Sequence, residues 1–519
     1  MPEGTTGTIR ATADTERFRL RSFIEGLGPD ELETIDEPVE LADLTARLDS
    51  NSKAVLFRQA GPEKAEIVGN LTASRSRLAL AFGVSEADLL QEILRRLGTQ
   101  QETVEIASAD APVHEIIRTG DEADFTDLPV PFQHGRDGGP YLSSTMDFTF
   151  NADAGLTNVG CRRMMIRGRR EAGVDLNAPS DCKAIYEAAV QRGETLPISF
   201  ALGSHPIDHV AATMRLPVDE TGLIANLRGA TLPLVKCVTN DLMVPADAEI
   251  VIEGYLDSRG HVEDEGPFGE FAGYYGIMKK NPVFHLTAIT MRKDALFQTS
   301  TISGPRIDRT DTAVLNTIKS EVVVWRALQT AIREPVAVNA TAAGAGMFNL
   351  RLSMRPRVPG EARNAIAAAM GCLANVKNVF VVDDDIDIFD DAQMDWALAT
   401  RFQPDRDLVV QGGMRTLPLD PSLYGARVGA KAGFDLTVAA DRRQSIEFTV
   451  PAPPTLEGER FDSVLAALKD GPKSFEALMA AVGTRDGREV VLALEDLRKD
   501  DRLTRLKEGE YALRDPGSA

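Results

Sequence analysis

Hydrophobic and polar residues alternate with two different periods in the first 310 residues of the chain. Up to about residue 124, segments of helical spacing that end at glycine, such as 86-EADLLQEILRRLG-98, mix with short apolar runs such as 54-AVLFR-58. This mixture predicts a small α/β region over 1–124. From 125 to 310, turn residues separate short strand-like runs, which predict a barrel or a strongly bent sheet. The runs are YLSSTMDFTF, VGCRRMMIRG, LPISFALG, AEIVIEGYLD, VFHLTAITMR and ALFQTSTISG.

The pattern changes again after residue 310. Residues 311–335 have helical spacing throughout, which predicts a helix long enough to bridge two domains. Over 336–450, strand-like and helical segments alternate and predict a second α/β layer domain. A Pro-rich linker, 451–460, precedes a last module, 461–519, with the three helices and hairpin of a winged helix. The predicted fold class is therefore mixed α/β (α+β), built from several parts.

Composition and charge limit the classes of partner. The 519 residues carry 57 Lys and Arg against 78 Asp and Glu, a net charge of −21. This balance argues against nucleic acid or an anionic membrane as a partner. The winged-helix-like module has ten basic and twelve acidic residues, so we interpret it as a packing or assembly module rather than a DNA reader.

Targeting signals and cysteine pairs are missing from the sequence. The N-terminal segment MPEGTTGTIRATADTERF lacks the basic-then-apolar pattern of a signal peptide, and no apolar run reaches membrane length. These features predict a cytoplasmic protein. The four cysteines are scattered without a C-x-x-C pair, so we expect buried thiols rather than disulfides or a zinc site.

The stretch 263-EDEGPFGEFAGYYG-276 is the first candidate for chemistry. Gly and Pro place Glu265 and Glu270 on either side of a turn, which lets both carboxylates point toward one cavity. Two carboxylates in one site cannot both ionise at low cost, so one can hold a proton near neutral pH. A solvated acidic loop is the alternative.

Common nucleotide and metal motifs do not account for the chain. Neither G-x-G-x-x-G nor a Walker A lysine loop is present in the sequence. The run 383-DDDID-387 lacks the central Gly and terminal Glu of a calcium loop. A strand end followed by a helix capped at Asp390 is the better interpretation.

Several ordered motifs resemble the UbiD family of reversible decarboxylases, which use prenylated FMN. Besides EGPFGEFAGYYG, they are 158-NVGCRRMM-165, 196-LPISFALGSHP-206, 232-LPLVKCVTNDLMVPADAEIVIEG-254 and 376-VKNVFVVDDDIDIFDDAQMDWALATR-401. Together they cover most of residues 120–440. The resemblance implies a split β-barrel that binds the flavin over 125–310 and a C-terminal α/β oligomerisation domain over 336–450.

The resemblance also implies the reaction and its catalytic residues. Loss of CO2 from an sp² carbon leaves a carbanion that no protein side chain can delocalise, so a cofactor must accept the electron density. By the family pattern, Glu270 returns a proton to that carbon. Arg163 and Glu265 complete a Glu-Arg-Glu network with it, since a guanidinium can pair with carboxylates through a planar fork.

A divalent metal, Mn²⁺ or Mg²⁺, and a K⁺ ion are implied beside the cofactor phosphate. Hard oxygen ligands suit such ions. Asn158 and Glu220 match two family ligands. The family's third ligand is usually a His, but the matching position here is Asp181, which either serves as an oxygen ligand or caps the following helix. A ligand set rebuilt around Cys182 or water is a further alternative. Other positions implied to bind the cofactor are Cys161, Arg162, Arg163, Ser180 and Lys377.

The leading hypothesis is a decarboxylase of an aromatic or heteroaromatic acid, with phenazine-1-carboxylate and indole-3-carboxylate as candidates. Cinnamate-type acrylic acids are an alternative substrate class. A plain-FMN oxidoreductase of split-barrel type and a ligand-sensing regulator are alternatives from other classes. The resemblance implies CO2 as co-product, a UbiX-type flavin prenyltransferase as cofactor supplier, and a homodimer or dimer-based oligomer.

Overall fold

A computed structural model describes residues 13–373, 375–439, 441–443, 445–507 and 509–514. The chain forms two compact units. One comprises residues up to 356 together with 360–437, and the other comprises 357–359 together with the residues from 438 onward. Among the described residues, no helix is both long and apolar enough to cross a membrane.

The N-terminal region mixes short helices and strands, as its sequence predicts. Strands β1–β3 form a sheet in the order β1-β2-β3, with β1 parallel and β3 antiparallel to β2. The elements are α1 (Leu20–Glu25), β1 (Leu32–Ile35), α2 (Leu44–Asp49), β2 (Ala54–Ala60), β3 (Ala65–Gly69), α3 (Arg75–Phe82), α4 (Leu89–Leu97), β4 (Thr103–Glu105) and β5 (Ile116–Thr119).

The middle region contains a closed barrel of six strands. These are β6 (Tyr141–Asn151), β7 (Leu156–Ile166), β8 (Glu171–Val174), β9 (Leu196–Leu202), β12 (Ile250–Leu256) and β17 (Val283–Met291). Their order is β12-β9-β6-β7-β8-β17, and pairing of β17 with β12 closes the barrel. The barrel prediction is confirmed, and β5 adds a further strand beside β17.

Helices and short hairpins interrupt the barrel strands. The helices are α5 (Asp181–Arg192), α6 (Pro206–Thr213) and α7 (Glu220–Arg228). The short strands are β10 (Leu232–Lys236), β11 (Met243–Pro245), β13 (Glu263–Glu265), β14 (Phe268–Gly269), β15 (Tyr275–Gly276), β16 (Lys279–Asn281) and β18 (Phe297–Gln298). The run at 295–304 was expected among the barrel strands, and that expectation is wrong. Only β18 forms there, and it pairs with β3, because its buried residues complete the N-terminal sheet.

The predicted bridging helix, α8 (Asp311–Ala331), leads into a five-stranded sheet with the order β19-β20-β21-β23-β22. This sheet and its helices match the predicted strand-helix alternation. They are β19 (Pro335–Ala340), β20 (Asn349–Met354), α9 (Glu361–Cys372), β21 (Asn378–Asp383), α10 (Asp391–Arg401), α11 (Pro404–Asp407), β22 (Leu408–Arg415) and β23 (Val428–Asp435). Asp390 caps α10 by accepting from two backbone N–H groups, which confirms the capped-helix interpretation.

Two hydrophobic clusters organise the larger unit. One fills the barrel and extends to the N-terminal sheet. The other joins α3 and α4 to the outside of the barrel, to α8 and to the five-stranded sheet. Apolar burial on this scale contributes about 25 cal/mol per Å² and fixes the positions of the strands that carry polar side chains.

The second unit has the predicted three helices and hairpin. They are α12 (Val464–Asp470), α13 (Phe475–Val482), α14 (Gly487–Lys499), β24 (Leu503–Arg505) and β25 (Tyr511–Leu513). Ser463, Ser474 and Asp486 cap the three helices by accepting backbone N–H groups. A separate apolar cluster forms its core.

Candidate active site

The 263–276 segment folds into two short antiparallel pairs that bring its acidic side chains together. Strand β13 pairs with β16, and β14 pairs with β15. Gly266, between β13 and β14, has φ +96°, a conformation that favours glycine. The Glu270 N–H then donates to the Tyr274 carbonyl at 2.9 Å and closes the second turn. The sequence prediction of a turn rather than a continuous strand is confirmed.

Arg163 on β7 lies between the two carboxylates of that segment. Its Nε donates to Glu265 Oε1 at 3.0 Å, while Nη1 and Nη2 donate to the Glu270 oxygens at 3.2 and 3.1 Å. The Arg163 Cζ also lies 4.2 Å from the centre of the Phe268 ring. One guanidinium therefore fixes the orientation of both acids.

This three-residue network is mostly shielded from water. Glu265 and Glu270 are 1% and 3% exposed. Although burial opposes its charge, Asp175, Glu270 and Glu265 together hold the pKa of Arg163 above its ordinary value. A permanently charged Arg163 keeps a proton-exchanging carboxyl group in one place, which suits a general acid.

The sequence analysis missed two further charged residues at this network. Asp175 Oδ2 lies 2.9 Å from Arg163 Nη2, and Lys279 Nζ lies 3.2 Å from both Asp175 Oδ2 and Glu270 Oε1. The β13–β16 register pairs Lys279 with Glu265, so a hairpin prediction around 265–279 could have located the lysine. No comparable local pattern marks Asp175.

Two of the predicted metal ligands, Asn158 on β7 and Glu220 on α7, form a second polar group. Asn158 Nδ2, on β7, donates to Glu220 Oε2 at 2.8 Å. Glu220 is the first residue of α7 and also accepts from the Val159 backbone N–H. Burial, reinforced by nearby Asp147 and Asp181, raises the pKa of Glu220 to about 7 against the hydrogen bonds it accepts.

Ser180 and Asp181 lie at the start of α5. The Ser180 hydroxyl caps the helix by accepting from the Lys183 N–H, and Asp181 is its exposed first residue, so the expectation that Asp181 caps this helix is wrong. Among the described residues, no three His, Cys, Asp or Glu side chains are arranged to hold a metal ion. Asn158, Glu220 and Asp181 instead offer one amide and two carboxylates, a hard oxygen donor set that suits Mn²⁺ or Mg²⁺.

Arg162 and Cys161 lie next to this oxygen-rich group. Arg162 Nη2 donates to Ser180 Oγ at 3.2 Å, and its Nε lies 3.4 Å from Asp147 Oδ1. Within the described chain, the buried Asp147 oxygens and Arg162 Nε have no hydrogen-bond partner. Burial raises the pKa of the Cys161 thiol. A buried ion pair whose atoms lack well-formed hydrogen bonds is consistent with a polar group bound at this point.

Two more cations near this group were missed in the sequence. Burial, together with Arg215, lowers the pKa of Lys319 to about 8, and Cys161 acts in the opposite direction. Arg215 interacts electrostatically with Arg162 and donates to the Pro179 carbonyl at 3.2 Å. Clustered cations suit an anion such as a flavin phosphate. Lys319 lies on α8, far along the sequence, so only the fold brings it here.

Lys377 lies in a different environment, just before β21. Its Nζ donates to Ser422 Oγ at 2.7 Å and lies 2.8 Å from Asp420 Oδ2. The contacts of Lys377 are thus with the C-terminal sheet region. Its predicted contact with the flavin phosphate stays a prediction.

Family models match almost the whole larger unit. They describe a 3-octaprenyl-4-hydroxybenzoate carboxy-lyase N-terminal domain over residues 28–97, a Rift-related domain over 104–306 and a C-terminal domain over 313–436. The chain belongs to the UbiD family. It is therefore a carboxy-lyase, and the family resemblance, the enzyme class and the mixed α/β fold predicted from the sequence are confirmed.

Relatives of this UbiD-family chain match it over nearly their own full length. An anhydromevalonate phosphate decarboxylase from Methanosarcina mazei is 30% identical over 82% of the chain and 98% of the relative. The UbiD-class enzyme HmfF from Pelotomaculum thermopropionicum, solved with FMN, is 30% identical with a TM-score of 0.79, over 84% of this chain and 98% of that one. An evolved dimeric HmfF was solved with prFMN and has a TM-score of 0.76 at 29% identity, over 84% and 97%.

A third relative acts on an aromatic acid. The apo 3,4-dihydroxybenzoic acid decarboxylase AroY from Klebsiella pneumoniae is 26% identical, with a TM-score of 0.76, over 87% of this chain and 99% of that one. The relatives thus differ in substrate, while the fold is shared. The module from 461 onward lies outside the three matched domains.

Proposed function

We propose that this protein catalyses the reversible, non-oxidative decarboxylation of an aromatic or heteroaromatic carboxylic acid with prenylated FMN. The observation that carries the proposal is the position of Arg163 between two buried carboxylates, Glu265 and Glu270. Prenylated FMN, when bound, supplies the electron sink that protein side chains lack. Phenazine-1-carboxylate and indole-3-carboxylate are the candidate substrates.

In this proposal Glu270 transfers a proton to the carbon that has lost CO2. The Glu270 carboxylate that remains is held by two Arg163 N–H groups at 3.2 and 3.1 Å, which limits its movement before it is reprotonated. Glu265 accepts from Arg163 Nε at 3.0 Å and so helps to hold the guanidinium in place. General-acid catalysis of this kind contributes about 10²–10⁴-fold to the rate.

The residues proposed to hold the cofactor include Asn158 and Arg162 on β7 and side chains from several helices. Asn158, Glu220 and Asp181 would bind Mn²⁺ or Mg²⁺, with K⁺ nearby. The cofactor phosphate would lie among cations and helix-capping groups, with Cys161 and Lys377 as the remaining predicted contacts. The cations and capping group are Arg162, Ser180, Arg215 and Lys319.

A second substrate class is favoured by a specific observation. Two curated relatives, 30% and 27% identical over almost their whole lengths, are named anhydromevalonate phosphate decarboxylases. A phosphate-bearing, non-aromatic acid is therefore a candidate beside the aromatic ones. A cinnamate-type acrylic acid remains the third class.

The deciding experiment is coexpression with a flavin prenyltransferase, followed by measurement of CO2 release from three groups of acids. These are aromatic and heteroaromatic acids, cinnamate-type acids, and anhydromevalonate phosphate. We expect turnover of the first group that depends on prenylation. Turnover of anhydromevalonate phosphate alone would assign the second substrate class, and release from none of them by prenylated, folded protein would contradict the proposal.

The chemical identity of the bound flavin distinguishes the proposed decarboxylase from the alternative, a plain-FMN oxidoreductase. Mass spectrometry of the flavin released from active enzyme should show a mass increase for the added isoprenoid unit. Activity with unmodified FMN and NADH oxidation without CO2 release would favour the rival. Membership of a carboxy-lyase family argues for the decarboxylase.

A further inference from the structure

Five charged side chains, rather than three, surround the position where Glu270 would exchange its proton. Arg163 and Lys279 are the cations, and Asp175, Glu265 and Glu270 are the acids. They come from β7, from the segment after β8 and from the β13–β16 hairpin. The motif that defines Glu265 and Glu270 includes neither Asp175 nor Lys279.

We propose that Lys279 and Asp175 are positioning residues that set how readily Glu270 holds its proton. This inference deepens the proposed function and rests on it. Lys279 donates directly to Glu270 Oε1 at 3.2 Å, and Asp175 binds both Lys279 and Arg163. Asp175 thus competes with Glu270 for both cations.

The balance of charge gives the physical reason. With all five groups ionised, three carboxylates face two cations, so one negative charge is left without a counter-charge. A single proton shared within the network neutralises that excess. Although burial opposes its ionisation, Arg163 and Lys279 hold the pKa of Asp175 well below its usual range. The excess negative charge therefore lies on Glu265 and Glu270, and of these two Glu270 accepts from Lys279.

Position relative to solvent separates the roles of the five residues. The side chains of Lys279 and Asp175 are 20% and 18% exposed, whereas those of Glu270 and Glu265 are 4% and 1% exposed. Lys279 and Asp175 thus form the more solvent-exposed part of the network. Because a charge in a partly buried site is only weakly screened, loss of either one should be felt at Glu270.

Other titratable groups near the network are also accounted for. Tyr141 lies beside Glu265, and burial together with that carboxylate raises the pKa of the phenol, which keeps it neutral. His134 pairs with Asp137 at 3.1 Å, and Asp137 accepts from the Gly269 N–H. The variants below leave all of these groups in place.

The test measures protonation of Glu270 without cofactor or substrate. The pH dependence of the protonated-carboxyl infrared band is recorded as a difference between each protein and the same protein with Glu270→Gln. In Lys279→Met, loss of a cation favours the neutral acid, so the midpoint should rise by about one pH unit. In Asp175→Asn, both cations are freed for Glu270, so the midpoint should fall.

Two controls remove structural explanations. Lys279→Arg keeps the charge and should restore a midpoint near that of the unmodified protein. Lys280→Met changes the next residue of β16, whose Nζ pairs with Asp264 at 2.8 Å on the exposed side, and should leave the midpoint unchanged. An unmoved midpoint in both Lys279→Met and Asp175→Asn, or a shift in the same direction, would overturn the inference.

The prenylated enzyme gives a second readout. The alkaline limb of the pH profile of CO2 release should move to higher pH in Lys279→Met and to lower pH in Asp175→Asn. The shifts should equal those of the infrared midpoints. If infrared midpoints move as expected but no variant and no unmodified enzyme releases CO2, the proposed function fails while the charge balance holds. If CO2 release is normal and neither midpoint nor limb moves, only this inference fails.

Discussion

Arg228 and Arg163 each lie between carboxylates, and they differ in how tightly they are held. Arg228, on α7, pairs with Asp208 on α6 and with Asp247 after β11, and all three side chains are 1% exposed. Its four contacts run from 2.5 to 3.2 Å. Arg163 contacts Glu265 and Glu270 at 3.0 to 3.5 Å, and its own side chain is 12% exposed.

The difference separates a structural ion cluster from a reactive one. The Arg228 cluster ties two helices to a loop, and its members face one another. The Arg163 network shares its guanidinium among three acids and includes a second cation near solvent. Short, dry contacts fix a conformation, whereas longer contacts with competing partners let a proton move without rearranging the backbone.

Substitution at the reactive network should give the largest effect. Glu270→Gln keeps the size of the side chain but removes the proton donor, so CO2 release should fall by about 10²–10⁴-fold or more. The measurement is turnover of the prenylated enzyme together with its free energy of unfolding, which should change by no more than about 1 kcal/mol.

The matched control is Glu263→Gln, two residues before Glu265 and exposed on β13. It should leave turnover intact. If Glu270→Gln kept full activity, or if the two variants behaved alike, Arg163 and Arg228 would have to be placed in the same structural class.

Substitution at the structural cluster should affect stability rather than chemistry. Arg228→Met leaves Asp208 and Asp247 buried without a counter-charge, which costs about 3–5 kcal/mol of the free energy of unfolding. Denaturant unfolding measures this loss, and the fraction that remains folded should retain its turnover.

An exposed ion pair provides the reference. Arg95→Met removes a pair with Glu92 in which the arginine is 62% exposed, and its effect on the free energy of unfolding should be far smaller than that of Arg228→Met. Equal losses for Arg228→Met and Arg95→Met would contradict the structural role assigned to the buried cluster.

The glutamate partners of Arg163 can be predicted from the sequence, whereas the partners of Arg228 cannot. Glu265, Glu270 and Arg163 stand in motifs that resemble a known family, so the amino-acid sequence alone predicts their network. Arg228 and Asp247 lie in quoted family motifs or beside them, yet nothing local marks them as partners, because their pairing depends on how α6 and α7 pack. Lys319 and Asp175 were missed for the same reason.

The fold was predictable where periodicity is strong. Five of the six barrel strands, α8 and the three helices of the last unit follow from spacing and caps, whereas the four-residue strand β8 is too short to show a pattern and was not predicted. The run at 295–304 was assigned to the wrong sheet, because a short apolar run shows that a strand is buried but not which strand it pairs with. Helix α7 was not assigned from its sequence, although Asp219 caps it and Gly229 ends it.

Glu220 is a third buried carboxylate site, and its pH dependence and metal response show whether it is structural, like the Arg228 cluster, or functional, like the Arg163 network. In the cofactor-free protein the pKa of Glu220 is raised to about 7 from 4.5. Because its unfolded form ionises first as pH rises, Glu220 should lower the free energy of unfolding between about pH 4.5 and 7 by roughly 1–3 kcal/mol. Below about pH 4.5, Glu220 is neutral in both the folded and the unfolded protein and does not lower the free energy of unfolding. Above about pH 7, the full decrease has occurred.

Glu220→Gln should remove this part of the pH dependence, and denaturant unfolding at several pH values measures it. At pH 8, Mn²⁺ should raise the Tm of the unmodified protein more than that of Glu220→Gln, because a cation stabilises the ionised form. If Mn²⁺ left the Tm of both proteins unchanged, Glu220 would be a structural group, as Arg228 is.

The smallest expected effect tests how closely Glu270 is positioned. A Cβ added at Gly276 would lie 2.7 Å from Glu270 Oε1, so Gly276→Ala should push the carboxylate away from its contacts with Arg163. Turnover should fall about tenfold, below the roughly hundredfold loss that a ~1 Å misplacement can cause. Stability should change little, because the displaced atom is the end of a flexible side chain.

The control is Gly222→Ala on α7, where an added Cβ would have no atom within 4 Å. It should leave turnover unchanged and raise the free energy of unfolding by up to about 1 kcal/mol through helix propensity. Full turnover in Gly276→Ala would show that the Glu270 carboxylate need not be held closely against Arg163. The longer contacts around Arg163 would then have no role in proton transfer.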